Sequence, residues 1–225
     1  MTGLVRKASL LAAAGVLMAS AAFAGVPSAA NSTGMPSFIP LVTRNAGGAP
    51  DGLLFGTVSG SAGFTITVRD LANNPLNNCS VVLDFGLTTD LQICGDQLDA
   101  NALVNCAGKT VRKFTDVAGQ VTFGPVYGTG KGNAFPGTGL NGGRIFANGV
   151  LIASPTVPTA DYNGINGIDP FDQAILLGDI NQAGTPHGRA DMNCSNSITA
   201  FDKTIWLTHF NNAQTQSCGA LGNCP

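Results

Sequence analysis

Two stretches in the last third of the chain set oxygen-bearing side chains at matching positions. The first reads Ala160-Asp-Tyr-Asn-Gly-Ile-Asn-Gly-Ile-Asp-Pro-Phe-Asp172, and thirty residues later Ala190-Asp-Met-Asn-Cys-Ser-Asn-Ser-Ile-Thr-Ala-Phe-Asp202 repeats it. A calcium ion takes six to eight oxygen ligands, which a twelve-residue loop supplies from alternate positions and from an acidic side chain at its end. With Asp161 and Asp191 as position one, Asp172 and Asp202 fall at position twelve and Asn163 and Asn193 at position three. Position five is Ile165, which offers only its backbone carbonyl, in the first loop and Ser195 in the second; Asp169 and Thr199 at position nine are candidates to bind through water. Asn166 and Asn196 stand at position six, where a sharp turn needs the left-handed backbone that Asn tolerates. Ile168 and Ile198 follow at position eight, placed to tuck each loop against its helix. The chemistry expected is the binding of two Ca2+ ions. Turn formation and helix capping by the same Asp and Asn residues is the competing reading, and the doubling of the pattern, each copy leading into an apolar helix, favours the ions.

From Ala160 to about Asn212 the chain resembles the dockerin domain, whose two EF-hand-like loop-helix repeats each bind calcium and together form a protein-docking face. The resemblance implies Asp161, Asn163 and Asp172 as ligands in the first repeat and Asp191, Asn193, Ser195 and Asp202 in the second. The chain departs from the family at Ile165, where Asp or Asn is usual, and at Asn166 and Asn196, where Gly is usual.

The elements that would carry this repeat lie upstream. Phe64–Val68 alternates apolar and polar residues, Asp70–Pro75 makes a turn, and Ser80–Phe85 forms a second strand. Thr110–Thr115, Gln120–Phe123 and Arg144–Ile152 are further strand candidates, the last folded as a hairpin at Asn148-Gly149. Val68-Arg-Asp70, Asn74-Pro75-Leu76 and the run from Thr115 to Phe123 resemble the strand-turn signatures of bacterial immunoglobulin-like domains, which implies a spacer or adhesive sandwich over about residues 61–155. The expected fold is therefore mixed: an all-β immunoglobulin-like sandwich followed by a small α-helical, dockerin-like module over 156–225, with Ser154–Thr159 as a stiff Pro-containing link. Residues 25–60, rich in Pro, Gly, Ser and Asn, read as an extended arm. Leu87–Gly108 reads as a long inter-strand loop and Gly124–Gly143 as a Gly-rich loop without nucleotide-motif spacing.

Residues 1–24 carry Arg6 and Lys7, an apolar stretch and Ala22-Phe23-Ala24, the pattern of a cleaved secretory signal. Without that segment nine basic and 13 acidic side chains remain, a mildly acidic balance with no basic stripe for nucleic acid. Apolar residues make up 44% of the chain, enough for a packed core. Six cysteines fit an oxidising compartment. Cys94 with Cys106, and Cys194 with Cys218 or Cys224, are the expected pairs. Zinc has no Cys-x-x-Cys pair to hold it, and His187 and His209 sit in no ligand spacing.

No nucleophile with a matched base is indicated, and the carboxylates Asp84 with Asp90, or Asp96 with Asp99, are the nearest approach to a glycosidase pair. The sequence thus points to a secreted or cell-surface, non-catalytic structural or adhesion protein. Its calcium-binding repeat would mediate protein-protein assembly, including self-assembly into a filament. The alternative is an accessory subunit that docks onto a cohesin-bearing scaffold of a polysaccharide-degrading complex. In that case Trp206, Tyr127 and Tyr162 are the candidate sugar-stacking residues, although the helical position of Trp206 beside Ile205 and Leu207 favours the core.

Overall fold

The computed structural model describes residues 25–132, 139–181, 187–212 and 215–218, with Gly222 and Cys224. The expected signal segment lies outside the described residues, as do 133–138 of the Gly-rich stretch. Among these residues twelve strands follow in chain order: β1 Leu41–Val42, β2 Leu54–Phe55, β3 Val58–Ser59, β4 Phe64–Thr67, β5 Ser80–Asp84, β6 Leu91–Ile93, β7 Leu103–Asn105, β8 Thr110–Phe114, β9 Gln120–Phe123, β10 Val126–Gly130, β11 Arg144–Ala147 and β12 Val150–Ala153. Among the described residues two α-helices, α1 Pro170–Asn181 and α2 Ala200–Phe210, are separated by a 3-10 turn at Gly188–Ala190.

Period-two alternation explains the main sheet, an antiparallel array in the order β12-β11-β5-β8-β7. Val81 and Leu83 of β5 and Ile145 and Ala147 of β11 point inward, while their neighbours stay half-exposed. The hairpin between β11 and β12 turns at Asn148 (φ 43°) and Gly149 (φ 82°), two residue types that accept the left-handed backbone such a tight turn demands. Facing this sheet are the β4-β9 pair and a three-stranded group, β1-β10-β6, in which β1 runs parallel to β10. Ile66, Val121, Phe123, Ile93 and Leu41 from this side join Val81, Leu83, Val111 and Ile145 in one apolar core.

A second core lies where the helices meet the strands. Phe38 and Val42 enter it, whereas Ile39 and Leu41 between them enter the first, so one extended stretch feeds both. Its backbone is spent on the body of the protein: Phe38 bridges to Thr156 and Leu41 to Thr159, and Thr33 bridges to Thr67.

The expectation of a sandwich followed by a separate helical module is not met. Over the described residues the protein is 30% strand and 14% helical, and no self-contained dockerin-like unit is evident. The reason lies in the helices. Helix α1 buries Asp172, Leu176 and Asp179, and α2 buries Asp202, Trp206 and His209, too little apolar surface for a core of their own. Phe38, Phe55, Cys94 and Tyr127 complete it from the β part.

Two expected loops also contain strands. Leu87–Gly108 holds β6 and β7, and the Gly-rich stretch holds β10, all five of whose residues are buried. Glycine suits β10 because other backbone crosses it closely: a Cβ on Gly130 would strike the Tyr162 carbonyl. The disulfides differ from the expected local pairs as well. Cys94 bonds Cys218 and Cys106 bonds Cys224, each crossing from the strands to the tail, while Cys79 and Cys194 are free. Local pairing would have stapled a loop that β6 and β7 already order; the observed bridges tie the chain's end to the sheet.

Candidate functional site

Both Asp/Asn loops curl around their own side chains. In the second, Asp191 Oδ1 accepts from the Ser195 N–H (2.9 Å) and Oδ2 from the Asn196 N–H (3.0 Å). Asn193 Oδ1 also accepts from Ser195 N–H, at 3.0 Å. In the first, Asp161 Oδ1 accepts from Gly164 N–H (2.7 Å) and Asn163 Oδ1 from Ile165 N–H (2.7 Å). Asn166 and Asn196 both take φ 62°, the left-handed turn expected at position six. Ile168 is buried and Ile198 packs against the same core, which anchors each loop from beneath.

The position-twelve carboxylates begin the helices. Asp202 Oδ2 accepts from Thr199 N–H (2.7 Å) while Thr199 Oγ1 accepts from Phe201 N–H (3.2 Å), a capping box. Asp172 does more: its Oδ1 accepts from Tyr162 and Asn163 N–H (2.7 and 2.9 Å) and its Oδ2 from Asp169 N–H (2.8 Å). Capping and turn formation are therefore realised here. They leave lone pairs on every carboxylate, so they do not use up the capacity to hold an ion.

Electrostatics set the loops apart from ordinary caps. Asp161, Asp172, Asp191 and Asp202 are all fully buried. Burial, then the Asp172 charge, pushes the Asp161 carboxyl well above the usual range. Burial lifts Asp172 to about 6 despite three backbone N–H groups that oppose the shift. Burial chiefly, with the Asp202 charge adding to it, raises Asp191. Each loop thus sets two buried carboxyl groups together, and Asp161 Oδ2 is buried without a hydrogen bond. A divalent cation would satisfy that oxygen and neutralise the pair.

Among the described residues no three His, Cys, Asp or Glu side chains converge on a metal position. Any ion in these loops would draw on carboxylate pairs together with amide, hydroxyl and carbonyl oxygens, the donor set that suits calcium rather than zinc. Within the loops Asp161, Asn163, Asp172, Asp191, Asn193, Ser195 and Asp202 share the hydrogen-bond webs just described. Asp169 Oδ1 instead accepts from Phe171 N–H (2.8 Å), and Thr199 is bound into its capping box. Ile165 is exposed and its N–H is engaged by Asn163.

Buried polar networks fix the loops to the strands. Arg189, just before the second loop, donates from Nε and Nη2 to Asp179 of α1 (2.8 and 3.0 Å) and from Nη1 to the Gly132 carbonyl (2.6 Å). Its guanidinium faces Asp90 at 3.7 Å, and His187 Nδ1 lies 3.2 Å from the same carboxylate. Trp206 Nε1 donates to the Ala160 carbonyl (2.8 Å), so α2 clamps the start of the first loop. At the far end of α2, His209 Nδ1 meets Asp51 Oδ2 at 2.5 Å. Sequence spacing gave no signal for these clusters, because their members come from distant segments.

The carboxylates considered as a glycosidase pair each face a cation: Asp84 meets Arg144, Asp96 meets Arg44, Asp99 meets Lys113, and Asp90 meets Arg189. The candidate sugar-stacking rings are interior, with Trp206 and Tyr162 fully buried and Tyr127 nearly so, and none presents a face to a sugar. The tail residue Ser217, absent from the sequence-based ligand set, reaches the first loop and accepts from the Gly167 N–H (3.0 Å). No family model, curated protein or solved structure matches the chain. The class that fold and site define is thus a disulfide-bonded, mostly β protein carrying a doubled Asp/Asn loop, and no helix among the described residues is long and apolar enough to cross a membrane.

Proposed function

We propose that the protein is an exported, non-catalytic structural or adhesion protein that binds two Ca2+ ions in its paired loops and uses the surrounding surface for assembly with a protein partner. The observation that carries this reading is the pairing of buried like charges, Asp161 with Asp172 and Asp191 with Asp202, in two loops of the same register. Two long-range disulfides within the chain fit an oxidising compartment, the kind in which calcium is abundant. Assembly draws support from the helix starts: Phe171 and Phe201 occupy equivalent positions of the repeat and are 74% and 75% exposed. Aromatic side chains so exposed, beside loops that an ion would stiffen, make a surface suited to a partner. Light scattering of the purified chain at rising concentration tests the self-association branch, with and without millimolar calcium. Calcium-dependent growth in mass that Phe171→Ala with Phe201→Ala abolishes is the expected result; a monomer at every concentration with calcium present removes self-assembly.

A further inference from the structure

The two loops close in different ways. The second closes from within, since both oxygens of Asp191 accept backbone N–H groups of its own loop, Ser195 at 2.9 Å and Asn196 at 3.0 Å. In the first, only Asp161 Oδ1 accepts a loop N–H of good geometry, from Gly164, while Oδ2 is buried without a partner. The Gly167 N–H turns instead to Ser217 Oγ, fifty positions down the chain. That bond ties the first loop, at the residue just after its left-handed Asn166, to the tail of the chain.

Ser217 is itself held from both sides. Its predecessor Gln216 exchanges two backbone hydrogen bonds with Arg44 (2.9 and 3.0 Å). Its successor Cys218 is bonded to Cys94, which follows β6 directly. Among the described residues the second loop shows no such fastening from the tail, and it carries its own hydroxyl, Ser195, where the first has Ile165.

Building on the calcium reading above, we infer that Ser217, fixed by the Cys94–Cys218 disulfide, is a positioning residue for the first loop: through the Gly167 N–H it holds the turn of that loop in the shape the ion needs. The first site then depends on the bridge, while the second does not. Partners that orient a metal ligand from behind typically contribute about 10- to 100-fold to affinity, and the first loop needs this help because Ile165 leaves it one side-chain oxygen short. The consequence is an ion site sensitive to thiol-disulfide state beside one that is not.

Calcium titration calorimetry on the full-length chain reads both sites, and an Asp191→Ala background isolates the first. Ser217→Ala is expected to weaken the first site roughly 10- to 100-fold and leave the second unchanged. Ser217→Thr, which keeps the hydroxyl, is expected to restore it, and Cys94→Ser with Cys218→Ser to reproduce the loss. If Ser217→Ala leaves both sites intact, or weakens both equally, the positioning role is wrong while calcium binding stands. If the unmodified chain takes up no calcium, the reading on which the role rests fails with it.

Discussion

Asp172 shows at the scale of one residue what the loops demand. Its carboxyl is raised from 3.8 to about 6 by burial, so without an ion the folded loop holds its proton to a higher pH than the unfolded chain does. A raised carboxylate contributes stability that is complete below its unfolded value and is lost as pH climbs through its folded one. With Asp161 and Asp191 shifted in the same direction, thermal stability in chelator is expected to decline between about pH 4 and 6. Calcium binds the ionised form, so the melting temperature it adds should grow across that window. Melting curves with chelator and with calcium at stepped pH check this; a calcium effect that is flat with pH contradicts the paired-charge account. Ser195 against Ile165 yields a second expectation. At ten times its dissociation constant an ion adds about 1.4 kcal/mol per site, and Asp191→Ala should remove more of the calcium-induced rise than Asp161→Ala. Position six was legible at this scale, because an Asn in a tight polar run has few uses besides a left-handed turn. Ser217 was not, since nothing in a local window links it to a loop fifty residues away.

Strands with strict alternation could be read from the chain, and β4, β5, β8, β9 and the β11-β12 hairpin fall where the pattern places them. β6 and β7 have three residues each, too few for alternation to declare itself, and β10 is hidden by its glycines. Those glycines are a condition of the architecture. Gly130 donates its N–H to the Asp161 carbonyl at 2.6 Å, and Gly132 donates to Tyr162 at 2.8 Å, so β10 holds the entrance of the first loop. Gly130→Ala would force the two backbones apart and is expected to lower stability by about 1–3 kcal/mol, the usual range for overpacking a tight site, and to weaken the first ion site with it. A Gly130→Ala variant with unchanged melting and calcium response would show that the close approach is dispensable. Trp206 works at the same level from the helical side. It fills the second core and bonds Ala160, so Trp206→Ala should cost about 3–5 kcal/mol in denaturant unfolding; a cost near zero would mean that α2 is not part of the core.

For the whole molecule, the decisive fact is that the helices share their core with the strands. Repeat spacing exposed the loops clearly, but it could not reveal that each helix buries too little to stand alone. That depends on Phe38, Phe55 and Tyr127 arriving from elsewhere. The cysteines tell the same story: three lie in the strand region and three near the end, and the two bridges that form both cross, over separations of 124 and 118 residues. Closures of that length typically contribute about 2–5 kcal/mol each through the unfolded chain. Reduction should therefore lower the melting temperature of strands and helices together, and circular dichroism at β-sheet and helix wavelengths would show two separate transitions if they were independent units. Isothermal titration of the purified chain with Ca2+ decides whether the repeated loops are ion sites or only helix caps: two ions per chain and a rise in melting temperature that chelator reverses are expected, and an absence of both binding heat and thermal shift would contradict ion binding.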